Sequence, residues 1–246
     1  MSYRQLIHEA WVFTQENRKL IYWFGFFPAI FSTASAVLYL AYQFFAFKKS
    51  PLFDNAQHSF LSDVVNFVYN FVTSHMNIAL PLVIATIILG IIYLLLPTLA
   101  RAAAIQYIAR RRNGHPTTVG DGFKYGLMRF LPLLKYHMMI KTFGFFTVIF
   151  EAAFVLRNYG IDWFKFLLPI FVLVTVVGVF LTLLFTYADF YIVVDDEDII
   201  VSIRKSIKLV IMHWQKTFFV TLLMIVIGIR IVLQIVLLLL IPALIL

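Results

Sequence analysis

The chain divides into five long apolar runs, separated by segments in which apolar residues recur every third or fourth position. The runs cover residues 20–47, 78–100, 138–156, 166–194 and 217–243. A helix that crosses a bilayer needs about 20 mostly apolar residues. The pattern therefore predicts an all-α polytopic transmembrane bundle of five spans, with a sixth left open, forming one domain over residues 1–246. The last apolar stretch continues to Leu246. It is read as one tilted span with an apolar tail, bent near Pro242; a re-entrant hairpin is the alternative.

Three of the intervening segments carry an amphipathic pattern. Tyr3, Leu6, Ile7, Ala10, Trp11 and Thr14 share one helical face. So do Phe123, Leu127, Phe130, Leu131 and Leu134, and so do Ile199, Ile200, Ile203, Ile207, Val210, Ile211 and Trp214. Each follows the i, i+3/i+4, i+7 rule of a helix with one apolar stripe. Each also runs towards a basic residue at the next apolar run: Lys19, Lys135 and Lys216. The recurrence suggests a repeated unit, an interfacial helix followed by an outgoing span. A fourth segment, 50–77, places Phe60, Val64, Phe67, Val68 and Phe71 at helical spacing. It predicts a helix on the outer surface or an early start to the second span.

Composition places these helices in lipid. Of the residues, 62% are hydrophobic and only 13% charged, against about 45–50% and about 25% in soluble domains. The absence of cysteine excludes disulfides and thiolate metal sites. The formal net charge of +8 is read as basic cytoplasmic segments facing anionic headgroups rather than as a nucleic-acid site. Arg4, Arg18 and Lys19, then Arg101, Arg110, Arg111, Arg112, Lys124 and Arg129, then Arg204, Lys205, Lys208 and Lys216 fall on one side if the spans alternate. The other side holds Lys48, Lys49, Arg157 and Lys165, with Asp54, Asp63 and Asp162 among them. The basic side is taken as the cytoplasm, so the chain is expected in the cell (cytoplasmic or inner) membrane with its N-terminus inside. The first span is expected to act as the targeting signal.

The densest candidate chemistry is the acidic run Asp195, Asp196, Glu197 and Asp198. Hard cations need oxygen ligands converging from several directions, and four consecutive acids diverge. Paired catalytic carboxylates need an enclosed site that separates their pKa values, whereas this run lies at an aqueous interface. The reading favoured is a helix cap: Asp195 as N-cap and Asp198 three positions on. The cations Arg204, Lys205 and Lys208 follow later, where the helix dipole favours them. The opposite face, with Ser202 and Ser206, is then the polar one.

The stretch T-Y-A-D-F-Y-I-V-V-D, followed by I-x-x-S-I-R-K-S-I-K-L-V, resembles the bacterial multi-span proteins typified by YciC. It is similar too to the membrane domain fused to some glycerophosphodiester phosphodiesterases. The segment AAAIQYIARRRNGHPTTVGDGFKYGL fits their middle cytoplasmic segment, and the resemblance covers residues 100–219. It implies a multi-span helical fold, usually of six spans, and no settled activity. No phosphodiesterase domain accompanies it.

Charges within spans are functional candidates by default. Arg230 lies near the middle of its run, and Glu151 is the acid available to it; Asp189 is at a depth similar to Arg101. Two ion pairs are expected, Glu151–Arg230 and Arg101–Asp189. The six histidines form neither HxxxH nor HExxH, and Gly114, Gly120 and Gly122 form no nucleotide-binding spacing; the glycines are read as loop geometry. Arg110, Arg111, Arg112, Arg204, Lys205 and Lys208 are the candidate contacts to anionic lipid. No catalytic residue, metal or cofactor is expected. The expected function is a non-enzymatic membrane scaffold or envelope-homeostasis protein, contacting lipid and a protein partner or a second copy. A permease or channel component is the alternative, and a membrane-embedded lipid enzyme the second. A reporter or protease-protection assay should place Gly114 inside the cell; an external position overturns this topology.

Overall fold

The computed structural model describes residues 3–48, 60–141 and 143–245. Lys49 and Asp54 of the expected outer segment lie outside the described residues. Among the described residues nine α-helices follow in order: α1 (Tyr3–Glu16), α2 (Phe27–Lys48), α3 (Phe60–Ser74), α4 (Met76–Arg112), α5 (Val119–Lys141), α6 (Phe145–Leu184), α7 (Ala188–Val193), α8 (Ile199–Met212) and α9 (Trp214–Ile245). A π-helical segment, Ile21–Phe26, leads into α2. Pro28 follows it; its ring has no N–H and crowds the preceding turn, and the wider i→i+5 turn, with Phe27 N–H on Tyr22 C=O, takes up that crowding. No strand occurs among the described residues.

By length and apolarity two described helices suffice to cross a membrane, over Met76–Arg112 and Thr147–Leu184. A third is counted if α8 and the start of α9, which meet at 100°, act as one broken span. The helix labelled α6 is not straight. Gly160 adopts φ 85° and ψ −178° inside it, which only glycine does without strain. A straight helix would separate Phe143 from Gly178 by about 52 Å. Instead the Phe143 carbonyl packs so closely on Gly178 that a Cβ there would collide with it. The chain therefore reverses at Gly160 into two apolar arms, 145–159 and 161–184. At the turn, buried Arg157 donates to Gln43 Oε1 at 2.6 Å and ties the first arm to the end of α2.

A similar reversal occurs at His75. Phe67, Val68, Phe71 and Val72 of α3 share a groove with Ala79, Leu82 and Val83 of α4. The segment after residue 60 thus forms a separate helix that folds back along α4, rather than an early start to that span.

The packed interior lies along the second half of α4. Ala102, Ile105, Leu133, Tyr136, Ala188, Ile192 and Val193 form one buried cluster, from α4, α5 and α7. Phe24, Ala103 and Tyr107 form another, joined by Phe123. The α4–α5 contact is built on small residues. A Cβ on Gly126 would lie 2.6 Å from Ala103 N and 2.7 Å from its Cα; one on Gly122 would meet the Ala103 carbonyl at 3.2 Å. Gly122 and Gly126 are four apart, the small-xxx-small spacing that lets helix backbones touch. This corrects the loop reading of Gly120 and Gly122, which lie within α5; Gly114 does sit in a turn, with φ 79°. Gly126→Leu should lower thermal stability by about 1–3 kcal/mol through overpacking. Gly90→Ala, with nothing within 4 Å, should leave it unchanged. A thermal melt in detergent in which the two behave alike refutes the close crossing.

Candidate functional site

The close α4–α5 crossing places α7 against both helices, and its one acid, Asp189, is buried at 3% exposure. Arg101 of α4 forms an ion pair with the Asp189 carboxylate. The His137 Nε2 of α5 lies 3.3 Å from each carboxylate oxygen, and its Nδ1 lies 3.3 Å from Thr98 Oγ1. Asp189 stands in the first turn of α7, where an anion opposes the helix dipole. A buried carboxylate needs such partners, because desolvation penalises it severely when unpaired.

The surrounding side chains serve the backbone groups freed where α6 breaks into α7. The break leaves carbonyls without helical partners. Ser206 of α8 donates to Leu184 C=O at 2.8 Å and accepts from Tyr187 N–H at 3.1 Å. Tyr136 of α5 donates to Phe185 C=O at 3.1 Å. Gln106 of α4 donates to Val193 C=O at the other end of α7. Three helices thus hold the α6–α7 break and the far end of α7 through the main chain.

Thr98, His137 and Asp189 stand in the order hydroxyl, imidazole, carboxylate used in nucleophilic catalysis. Here Thr98 is 3% exposed, and the carboxylate is paired with Arg101. The cluster works as a charge-compensated clamp. The expected Arg101–Asp189 pair is present; His137 carried no sequence signal, being one of six scattered histidines, 52 residues from Asp189.

The acidic run has a different arrangement from the expected cap. Asp196 has φ 61°, a left-handed conformation that Asp tolerates and a helix does not. The helix therefore cannot start at Asp195, which sits exposed in a bend. Asp198 is the N-cap residue by backbone conformation, and its side chain makes no capping hydrogen bond. The other two acids reach across. Asp196 pairs with Arg129 of α5, and Glu197 Oε1 accepts from Lys205 Nζ at 2.5 Å. That hydrogen bond pushes the Lys205 ammonium pKa up. The capping box lies elsewhere, at α5. The Thr118 N–H and hydroxyl donate to Asp121 Oδ2 at 2.9 and 2.7 Å, and the Asp121 N–H donates back to Thr118 Oγ1. The Thr118 N–H, then its hydroxyl, hold the Asp121 carboxyl below the usual range.

Ser202 and Ser206 are fully buried with Val210, so the expected polar outer face of α8 is its inner face. Ile200 and Ile211 of the expected apolar stripe are exposed, with Arg204 and Lys208 among them. In α5, likewise, Leu127 and Leu131 are exposed while Gly122, Gly126 and Leu133 face inward.

The structure does not join Glu151 to Arg230. Glu151 opens into the groove between the two arms of α6, beside Phe150, Phe154, Leu167 and Phe171. The turn at Gly160 thus places its own hairpin, rather than α9, opposite it. Arg230 is exposed on α9. Of the six candidate lipid-binding cations, three are engaged within the protein. Arg110 stacks on Tyr125, 3.4 Å from the ring centroid; Arg112 lies 3.7 Å from Glu9; Lys205 holds Glu197. Arg111, Arg204 and Lys208 remain exposed. Among the described residues no three His, Cys, Asp or Glu converge as a metal site.

Asp189→Asn should cost no more than about 3 kcal/mol, the solvent at half-exposed Arg101 screening part of the pair. Asp195→Asn should stay within about 0.5 kcal/mol of the parent. Equal losses by thermal melt refute this placement of the two acids. Comparisons with protein-family models, curated proteins and solved structures find no match.

Proposed function

We propose that this chain is a five-span, non-enzymatic protein of the cell membrane, with a helical platform on the cytoplasmic surface that holds lipid headgroups or a partner protein. The observation that carries the reading is a segregation of surfaces. The apolar windows of α4 and α6 are only 6% buried within the protein. Most of the buried residues lie instead beyond them, at 98–107 of α4 and on α5, α7 and α8. Long apolar helices that find no core of their own need lipid around them. We take the five passes as α2, the first half of α4, the two arms of α6, and α9; the third and fourth differ from the expected 138–156 and 166–194, because the helices break between Lys141 and Phe145 and between Leu184 and Ala188.

The platform bears the basic ends, Arg110–Arg112 and α8, so a cytoplasmic face follows from the positive-inside rule. The exposed isoleucines and cations of α8 suit a helix lying in the headgroup layer. One feature favours the permease alternative: Glu151 in its apolar groove of about 510 Å³, since intramembrane carboxylates mark solute and proton paths.

Alkaline carbonate should leave the chain in the membrane pellet. Native mass spectrometry after gentle extraction should show it with anionic lipid or with a stoichiometric partner. Release by carbonate overturns the membrane reading. A monomer that holds only a small solute, lost in Glu151→Gln, overturns the scaffold reading in favour of the permease.

A further inference from the structure

A cleft of about 900 Å³ lies between the α1–α2 connection and the turn joining α4 to α5. Its volume is that of a small-ligand site. Three cations from two parts of the chain line it, Arg18 and Lys19 on one side and Arg111 at the end of α4. Glu16 is the one carboxylate among the lining residues. None of the three cations forms an ion pair with a described residue. The floor is built: the buried Tyr107 hydroxyl donates to Asn17 Oδ1 at 3.1 Å, and Asn17 Nδ2 donates to Phe13 C=O at 2.8 Å. Three cations and a single acid lining one cleft give it a net positive charge suited to an anion, and guanidinium groups match phosphate oxygens in geometry.

The rim says which kind of anion. Trp23 lines the cleft from the π-helical segment, a geometry that recurs at functional sites. Its ring lies 6.2 Å from that of Phe27. Trp23, Phe27 and Ile30 are exposed in succession, an apolar track that leaves the cleft along the first apolar helix. A cationic pocket opening onto such a track matches a molecule with a phosphate head and an apolar tail. We propose that this cleft is a binding site for the phosphate headgroup of an anionic glycerophospholipid, with an acyl chain along Trp23, Phe27 and Ile30. The proposal rests on the membrane reading above and gives its headgroup contact a location.

The test uses the full chain, delipidated in detergent and titrated with phosphatidylglycerol or phosphatidylcholine under native mass spectrometry. The parent should take up one phosphatidylglycerol about tenfold more tightly than phosphatidylcholine, a difference of about 1.4 kcal/mol. Arg18→Gln/Lys19→Gln/Arg111→Gln should lose that preference. Arg204→Gln/Lys208→Gln, which removes two exposed cations from α8, should keep it. The single Lys19→Gln variant, at an exposed side chain, should weaken binding about threefold and keeps the test open if the triple variant does not fold. Equal loss in the triple and the α8 variants, or no preference in the parent, overturns the site. Millimolar glycerol phosphate should not displace the lipid; if it does, the ligand is a soluble phosphate and the lipid assignment fails. A chain that survives carbonate extraction yet shows no headgroup preference refutes the cleft and leaves the membrane reading standing.

Discussion

The backbones of α4 and α5 meet at Ala103 and Gly126 with no room for a side chain between them. Helix backbones that approach this closely gain van der Waals contact along the whole crossing, which larger residues there would forbid. The crossing also sets the register of the two helices. It brings Thr98, Arg101 and Gln106 of α4 to the same side as Tyr136 and His137 of α5. All five are polar, and all five take part in holding or flanking α7. Without that register Asp189 would be an uncompensated buried charge, and the carbonyls of Phe185 and Val193 would lose their side-chain donors.

The same logic explains the orientation of α5 and α8. A helix in water hides its largest apolar side chains; one beside lipid has no need to. Both helices turn small residues inward, Gly122 and Gly126 on α5 and Ser202 and Ser206 on α8, and leave Leu127, Leu131, Ile200 and Ile211 outside. The inward serines act as well as fit, since Ser206 bridges the carbonyl of Leu184 and the amide of Tyr187. The expected apolar stripes are therefore divided: Phe123, Ile199, Ile203 and Val210 pack inward, while Leu127, Leu131, Ile200 and Ile211 face outward.

The basic residues divide in a corresponding way. Arg101, Arg129 and Lys205 are bound to acids and brace the α5–α7–α8 junction. Arg110 rests on Tyr125. Arg18, Lys19 and Arg111 remain for the cleft, and Arg204 and Lys208 for the outer face of α8. A count of positive charge along the chain treats these as one population, but their surroundings separate structural cations from those offered to a ligand.

By itself the sequence determined the helical class, the apolar lengths and the spacing of amphipathic stripes, because these depend on composition and on the 3.6-residue period of local structure. It also singled out Asp189 and Arg101, since ionised groups in apolar runs are costly wherever they occur. Which stripe faces the protein was not legible: periodicity finds a face without saying whether lipid or another helix lies against it. The reversal at Gly160 was hidden too, because glycine permits a left-handed turn without requiring one. The left-handed backbone at Asp196, which puts the N-cap at Asp198, goes with a tie from Asp196 to Arg129 of α5 that no local pattern announces. The clamp at Asp189 and the cleft at Arg18, Lys19 and Arg111 join residues 50 to 90 positions apart. Only packing brings such residues together, and only the tertiary structure decided it.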